Sequence, residues 1–185
     1  MHELMALLVG IGLAAAAGLR VFLPLFGLSL AALFGDLGLS PELAWLARPE
    51  AAIALGAATL LEIGSYYLPL VDHLLDTLAA PAAVIAGTLA TAALLAGIED
   101  AGLKWALALI AGGGTAGLVQ AGSMLARAAS TATTGGLGNP LVATGEWLGA
   151  LLLTVLALVL PLLALLLVAM VGVWRLRRRP RPPAA

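Results

Sequence analysis

Five long apolar stretches, separated by short polar segments, form the pattern of this chain. They cover residues 4–34, 51–68, 74–97, 103–126 and 141–174. A helix needs ~20 apolar residues to cross a bilayer core that is ~30 Å thick. The pattern therefore predicts an all-α, polytopic transmembrane helical bundle of five or six spans.

The first and last stretches are longer than one straight span, and both contain a proline. Residues 4–34 would make a helix of ~46 Å at ~1.5 Å per residue. They form either one tilted or kinked helix or two pieces that meet near Arg20. Residues 141–174 contain Pro161 near their middle. Because proline and glycine interrupt helices, we expect interrupted or re-entrant helices, with breaks at Gly18, Pro24, Pro69 and Pro140.

Polar segments separate the apolar stretches. Residues 35–50 hold turn formers and charges, which predicts a loop with a short interfacial helix anchored by Trp45. Residues 130–140, STATTGGLGNP, have small and hydroxylic side chains without charge, and they are predicted to form a loop. Residues 97–104 predict a polar turn whose charged side chains are solvated, namely Glu99, Asp100 and Lys104.

The composition favours a membrane location. Of the 185 residues, 62% are hydrophobic and 10% are charged, whereas soluble domains have ~45–50% and ~25%. Cys is absent and there are two His residues, so we expect no metal site and no cofactor. The N-terminus lacks a basic region and a small-residue cleavage site, so the first helix is expected to be retained rather than removed as a signal peptide.

Basic residues are concentrated at the C-terminus. The net charge is −1, yet five of the nine basic residues lie in residues 175–185. Basic residues beside a span hold that end in the cytoplasm. We therefore predict a single transmembrane domain over residues 1–174 and a disordered, Arg/Pro-rich cytoplasmic tail over residues 175–185. Because flanking arginines are an ordinary topology signal, no nucleic-acid partner is expected.

Charged residues lie deep inside three apolar stretches, at Arg20, Glu62 and Glu146. A charge at the bilayer centre costs at least ~2.5–3.5 kcal/mol on insertion scales, so such residues are often functional. Arg20 either extends to an interface at a helix boundary or pairs with a carboxylate or an anionic substrate. Glu62 is either a structural, salt-bridged carboxylate or a proton carrier that meets Arg20.

Two aspartates flank a histidine after Pro69. Asp72 and Asp76 are four residues apart, so one helical face presents both carboxylates, with His73 beside them. They form either a solvated helix start, with Asp72 as the N-cap, or an ion or proton site that meets Arg20. A hard-cation site would need more oxygen ligands than the neighbouring sequence offers.

Arg127 precedes the uncharged segment 130–140, which includes Asn139. It is either a helix-end anchor or part of an anion site, in which backbone N–H groups of the glycine-rich segment take part. The segment lacks the G-x-x-x-x-G-K-[ST] pattern of a nucleotide-binding loop. The chain also lacks G-x-S-x-G, H-E-x-x-H and D-x-D, so no enzymatic activity is expected.

Small residues recur at four-residue spacing in two of the stretches. They are Gly10, Ala14 and Gly18, then Gly113, Gly117 and Ala121. In membranes such stripes let helices approach closely, and they leave room for a homodimer. Residues 10–19 also align with residues 114–123 at an offset of 104. This alignment suggests an internal inverted repeat, a pattern that marks the binding site in transporter folds.

Three blocks of the sequence carry a family resemblance: AGLRVFLP (17–24), LEIGSYYLPLVDHLLD (61–76) and GGLGNPLVATGEW (135–147). They resemble the uncharacterised bacterial membrane family catalogued as domain of unknown function 4126, over the chain up to about residue 150. In the family's pattern a second basic pair precedes the Asn-Pro loop, where this chain has Gln120 and Met124; Arg127 is expected to substitute. The resemblance implies a multi-pass protein of the bacterial inner membrane and no defined activity.

Membrane charges beside helix breaks favour a small integral membrane transporter or channel. We expect it to contact the lipid bilayer, to be proton-coupled and to handle an anionic small molecule or a lipid phosphate. The alternative is a non-transporting membrane scaffold or assembly factor whose buried charges only fix helix pairing. The residues expected to bind substrate or ions are Arg20, Glu62, Asp72, His73, Asp76, Arg127, Asn139 and Glu146.

Overall fold

All regular structure in the described part of the chain is helical. The computed structural model describes residues 2–35, 37–65 and 69–177, with the side chains of residues 2, 69–77, 175 and 176 outside the description. The α-helices are α1 (His2–Ala17), α2 (Phe22–Phe34), α3 (Pro49–Ser65), α4 (Pro69–Leu94), α5 (Ala101–Leu107), α6 (Gly114–Thr134), α7 (Asn139–Val159) and α8 (Pro161–Arg177). A 3-10 helix spans Pro41–Ala47, and a π-helical segment, Ala108–Gly113, joins α5 to α6.

The first apolar stretch is two helices rather than one kinked helix. Helix α1 ends at Ala17, and α2 begins at Phe22. Both helices pack on α7: Arg20 meets the start of α7 at Ala143. Gly12 of α1 and Gly27 of α2 instead lie near the end of α7, against Ala157 and Thr154. Helices α1 and α2 therefore run in opposite directions and form a hairpin with Arg20 at its tip.

The last apolar stretch is also a helix hairpin. Its break is the single residue Leu160, with φ −138° and ψ 69°, and Pro161 then begins α8, where a missing N–H costs nothing. Gly12 of α1 lies against both Ala157 of α7 and Ala164 of α8. Further along, Gly172 lines the same cleft as Gly145, near the start of α7. Helix α8 therefore returns along α7, from the opposite end to the first hairpin.

The long helices α4 and α6 pack against each other, and both contact α1. Gly10 of α1 lies against Thr91 of α4, and Gly87 of α4 lies against Ala14, so α1 and α4 are antiparallel. Gly112 in the π-helical segment lies against both Thr91 and Gly87. The close helix packing predicted from the small-residue stripes is observed at these contacts.

The loop within the uncharged segment 130–140 is shorter than the sequence predicts. Helix α6 continues to Thr134, because the hydroxyls of Thr133 and Thr134 donate to the carbonyls of Ala129 and Ser130 one turn earlier. The turn begins at Gly135, whose φ of 63° is the left-handed conformation that glycine adopts most easily. Residues 114–123 are therefore followed by unbroken helix, unlike residues 10–19, with which they align.

Within the described residues, two helical stretches are long and apolar enough to cross a membrane, Ala101–Thr134 and Asn139–Val159. Four shorter apolar helices accompany them, of 10–17 residues each. Large apolar side chains on the outside of the bundle remain exposed, among them Leu118 at 78% and Leu141 at 78%. A lipid-facing surface requires this distribution, since lipid rather than water would solvate those side chains.

Candidate functional site: a buried arginine–glutamate cluster

The carboxylate of Glu146 on α7 lies at the centre of a buried charged cluster. Nη2 of Arg20 lies 3.1 Å from its Oε2. Nε of Arg127 donates to Oε1 at 3.1 Å, and Nη2 of Arg127 contacts Oε2. The hydroxyl of Ser123 also donates to Oε1. We call these four residues, Arg20, Ser123, Arg127 and Glu146, the arginine–glutamate cluster.

Three separate elements bring the cluster together. Ser123 and Arg127 are four residues apart, so they share one face of α6. Arg20 lies in the irregular segment between α1 and α2, and it also donates to the carbonyl of Ala143 on α7 at 2.9 Å. A β-carbon at Gly18 would meet the backbone carbonyl of Ala116 and the side chain of Val119, so glycine permits this segment to approach α6.

Every member of the cluster is buried. The exposed fractions are 2% for Arg20, 6% for Arg127 and 7% for Glu146. Removing charges from solvent costs several kcal/mol per ion, and the cost is offset only by a partner with good geometry. The pairing around Glu146 meets that requirement, which explains how an arginine is tolerated inside an apolar stretch.

The carboxylate of Glu62 accepts hydrogen bonds from the backbone immediately after Arg20. Its Oε1 accepts from the backbone N–H of Val21 at 2.7 Å, and its Oε2 accepts from Phe22 at 3.1 Å. Glu62 is thus an N-cap for α2 supplied by α3, and it satisfies amides that have no partner within their own helix. Pro24 in the first turn of α2 removes one further N–H.

The other predicted break residues lie at helix starts. Pro69 is the first residue of α4, and Pro140 is the second residue of α7. Because α4 begins at Pro69, Asp72 lies within its first turn and is not the N-cap. The side chains of Asp72, His73 and Asp76 lie outside the described residues.

Asn139 does not join the cluster. Its amide donates to the hydroxyl of Thr131 at 3.2 Å, at the exposed turn between α6 and α7. It therefore links the end of α6 to the start of α7. Among the described residues, no three His, Asp or Glu side chains lie together as metal ligands.

The prediction of a solvated turn was wrong for Lys104. The side chain is buried, with 4% exposed, and its Nζ lies 2.7 Å from Oε1 of Glu42 in the 3-10 helix. The sequence gives no signal for this pair, because the residues are 62 positions apart. The Lys104 hydrogen bond lowers the pKa of the Glu42 carboxyl. Asp100 of the same turn caps α5 by accepting from the N–H of Leu103.

A cleft of about 650 Å³ lies beside the cluster, between α6, α7 and α8. Most of its wall is apolar, with Leu118, Leu152 and Val168 among the lining residues, while Ser123 and Glu146 form a polar part. Leu118 is 78% exposed, so the cleft opens to the outside of the bundle. The volume lies in the range of small-molecule sites, ~300–1,000 Å³. The sequence pattern did not identify Ser123, although its four-residue spacing from Arg127 places both residues on one helix face.

The fold and the cluster define an all-α protein in which two helix hairpins meet around buried ion pairs. The chain belongs to the family described as Domain of unknown function (DUF4126), whose model matches residues 7–179. The match reaches beyond residue 150, where we expected the resemblance to end, because it includes α8 and the first arginines of the tail. No curated protein and no solved structure matches the chain.

Proposed function

We propose that this protein is a small transporter or channel of the bacterial inner membrane, with an anionic or phosphate-bearing substrate. The observation that carries the proposal is the cleft of about 650 Å³, whose apolar walls lead to Glu146 of the arginine–glutamate cluster. Ionisable residues inside membrane domains usually mark substrate or ion pathways. A cleft that reaches them supplies the access that such a pathway needs.

The hairpin tips support the same proposal. Non-helical backbone is stable at membrane depth only where protein or a water-filled cavity surrounds it. Arg20 occupies such a segment, and it lies against α6 and α7. Interrupted helices near the bilayer midplane form substrate sites in many transporters. We propose five or six membrane segments on this basis, some of them re-entrant, with the C-terminus in the cytoplasm.

Proton coupling would act through the ion pairs that Glu146 forms with Arg20 and Arg127. As a carboxylate, Glu146 accepts hydrogen bonds from Arg20, Arg127 and Ser123. Protonation would remove its charge and weaken the ion pairs, so a substrate anion would compete with Glu146 for the hydrogen bonds that Arg20 and Arg127 donate to it. Deprotonation would restore the ion pairs and release the anion. Substrate binding and proton binding at Glu146 are linked in this scheme.

Proteoliposomes test the proposal. Internal pH is followed under an imposed pH gradient while phosphate, other small anions and an alkyl phosphate are added in turn. We expect flux with wild-type protein and a loss of about tenfold or more in Glu146→Gln. Glu42→Gln, a matched substitution at the Glu42–Lys104 ion pair, should leave the flux unchanged. Circular dichroism and size exclusion establish that each variant is folded. Flux that persists in folded Glu146→Gln would refute the role of the cluster.

The second candidate is a membrane scaffold or assembly factor. The observation that favours it is the number of protein partners around Glu146 and Glu62, which suits charges that fix helix packing. A scaffold would give no flux with wild-type protein for any anion in the panel. It would also tolerate Glu146→Gln whenever the bundle remains folded.

A further inference from the structure

The α1–α2 hairpin stops well short of the turn between α6 and α7. Leu19 at its tip lies against Gly149 of α7, since a β-carbon at Gly149 would be 3.1 Å from Cδ1 of Leu19. Gly149 is ten positions after Asn139, where α7 begins, which corresponds to ~15 Å of helix. The backbone of the hairpin tip is therefore ~15 Å from that turn. We call the end of the bundle at the turn, residues 135–138, the Leu137 end.

The side chain of Arg20 extends from the hairpin tip toward the Leu137 end. Its neighbour Leu19 lies at the level of Gly149, whereas the guanidinium contacts Ala143 and Glu146, which are closer to the start of α7. A long basic side chain on an apolar segment directs its charged group toward the more polar surroundings. The direction of Arg20 therefore indicates a polar environment on the Leu137 side of the arginine–glutamate cluster.

The inward face of α6 becomes hydroxyl-bearing on the same side of the cluster. Arg127 is the last buried residue of α6. The next positions on its face are Ser130, Thr131 and Thr134, because residues three, four and seven positions apart share a helix face. Residues 128–136, AASTATTGG, contain no side chain larger than threonine. This part of α6 thus places no large apolar side chain between Arg127 and the Leu137 end.

Ser130 lies between the cluster and the turn, and its hydroxyl oxygen is buried. That oxygen has no hydrogen-bond partner among the described residues. The hydroxyl of Thr134, one turn further on, accepts from the backbone N–H of Gly138. Because an unpaired buried hydroxyl costs ~1–3 kcal/mol, buried polar groups without a protein partner are usually hydrogen-bonded to water. Water at Ser130 would be one helical turn from Arg127.

We propose that the end of α6 after Arg127 and the start of α7 line an aqueous entrance, through which protons and small hydrated anions reach the arginine–glutamate cluster from the Leu137 end. The proposal rests on the proposed function and adds an access route to the same site. The entrance differs from the cleft, whose walls are mainly apolar and which opens to the outside of the bundle. Its hydroxyl groups suit a water-soluble anion rather than an alkyl chain.

Single cysteines test the entrance directly, since the chain has no native Cys. Ser130→Cys and Thr131→Cys place thiols on the inward face of α6, and Leu137→Cys places one in the exposed turn. The variants are reconstituted in lipid nanodiscs and treated with sulfonatoethyl methanethiosulfonate, which is itself a small hydrated anion. Intact mass gives the reaction rate, and thermal unfolding establishes that each variant is folded.

Leu141→Cys is the matched control for depth. Arg127 meets Glu146 and Thr131 meets Asn139 across the α6–α7 hairpin, so Ser130 and Leu141 lie at nearly the same level. Leu141, however, is 78% exposed on the outside of the bundle. The reagent attacks a thiolate, which forms in water and is disfavoured in apolar surroundings. We expect Ser130→Cys to react within about tenfold of Leu137→Cys, and Leu141→Cys to react at least about tenfold more slowly than Ser130→Cys.

A flux measurement then tests whether the entrance carries the substrate. After complete reaction, the sulfonatoethyl group on Ser130→Cys should obstruct the entrance and lower phosphate flux in proteoliposomes by about tenfold. Reacted Leu141→Cys should keep its flux within about twofold. Full flux through completely reacted Ser130→Cys would overturn the entrance as the route of the substrate.

The reaction rates separate this proposal from the proposed function. Equal rates for Ser130→Cys and Leu141→Cys, or rates for both Ser130→Cys and Thr131→Cys more than about a hundredfold below Leu137→Cys, would overturn the aqueous entrance. Transport through the cleft alone would remain possible in those cases. The expected rates together with no flux from wild-type protein would support the entrance and refute transport.

Discussion

At the residue scale, Glu146 holds together side chains from three elements. It accepts from Ser123 and Arg127 on α6 and pairs with Arg20 at the tip of the first hairpin. Glu62 has a different task, since it caps α2 through two backbone amides. The two glutamates have the same chemistry, but one neutralises cations and the other completes a helix terminus.

Replacing Glu146 should be the costlier of the two glutamate substitutions. Glu146→Gln leaves two buried guanidinium groups without their counter-ion, and breaking a buried pair costs ~3–5 kcal/mol. Glu62→Gln keeps one acceptor for the α2 amides, so it should cost about 1–2 kcal/mol. Chemical unfolding in detergent, followed by circular dichroism, measures both. Because the expected loss reaches the lower end of typical stabilities, ~5–15 kcal/mol, the flux assay on Glu146→Gln is read only after circular dichroism shows that the variant is folded. Equal losses for the two variants would contradict the central position of Glu146.

The Glu42–Lys104 pair should make stability depend on pH at the acidic end. The hydrogen bond from Lys104 lowers the pKa of the Glu42 carboxyl below its ordinary value of 4.5. The pair's contribution is therefore fully present above about pH 4.5 and is lost as pH falls through the lowered pKa of the folded protein. We expect Glu42→Gln to lower Tm at about pH 7, and we expect the difference from wild type to shrink as the pH falls below 4.5. A Tm difference that stays constant over this range would count against the pair.

At the element scale, α4 and the π-helical segment are in close contact. Gly112 lies against Thr91 and against the carbonyl of Gly87, so the two helix backbones meet without an intervening side chain. π-Helical segments are rare, and they often occur at functional sites. The π-helical segment, whose turns are wider than those of an α-helix, lies at this close contact. It leads directly into α6, which carries Ser123 and Arg127 of the cluster.

Alanine substitutions at Gly112 and Gly114, which are two positions apart, should have opposite effects on stability. The β-carbon of Gly112→Ala would overlap Thr91 and the Gly87 carbonyl, and overpacking costs ~1–3 kcal/mol. The β-carbon of Gly114→Ala would meet nothing, so better helix propensity should stabilise it by up to ~1 kcal/mol. Thermal unfolding of both variants in the same detergent gives the comparison. Stabilisation by Gly112→Ala would show that the helices are further apart than described.

At the scale of the whole molecule, the two hairpins enter the bundle from opposite ends. The α1–α2 tip is Arg20, and both of its helices extend toward the end that holds the Glu42–Lys104 pair. The α7–α8 tip is Leu160, and its helices extend toward the turn at Leu137. Helix α8 ends at Arg177, at the same end of the bundle as Leu137. Because basic residues remain in the cytoplasm, that end should be cytoplasmic.

Cysteine labelling tests this arrangement, and the absence of native Cys makes it direct. Gly38→Cys and Leu137→Cys place single thiols at opposite ends, in exposed positions. In intact cells an impermeant maleimide should label Gly38→Cys alone, and in inverted vesicles it should label Leu137→Cys alone. A cysteine added after Ala185 should behave like Leu137→Cys. Labelling of both ends from the same side would exclude a membrane-spanning bundle with these two ends.

Sequence patterns identified the charged candidates better than they identified the contacts. Arg20, Arg127 and Glu146 were all predicted from charges in or beside apolar stretches, and the structure brings these three together. The sequence did not indicate that Glu146 pairs with Arg20, because a sequence pattern does not report which helices pack together. Lys104 was placed in solvent for the same reason.

The sequence by itself determined that the chain is helical and where most of its helices end. Apolar periodicity, proline at helix starts and glycine at turns act locally, so they can be read without knowing any distant contact. Only the tertiary structure decided that the broken stretches are hairpins, that Glu146 joins Arg20 to Arg127, and that a cleft lies beside them. Those features depend on which helix faces pack against each other, and the packed residues can be as distant in the chain as Arg20 and Ala143, which are 123 positions apart.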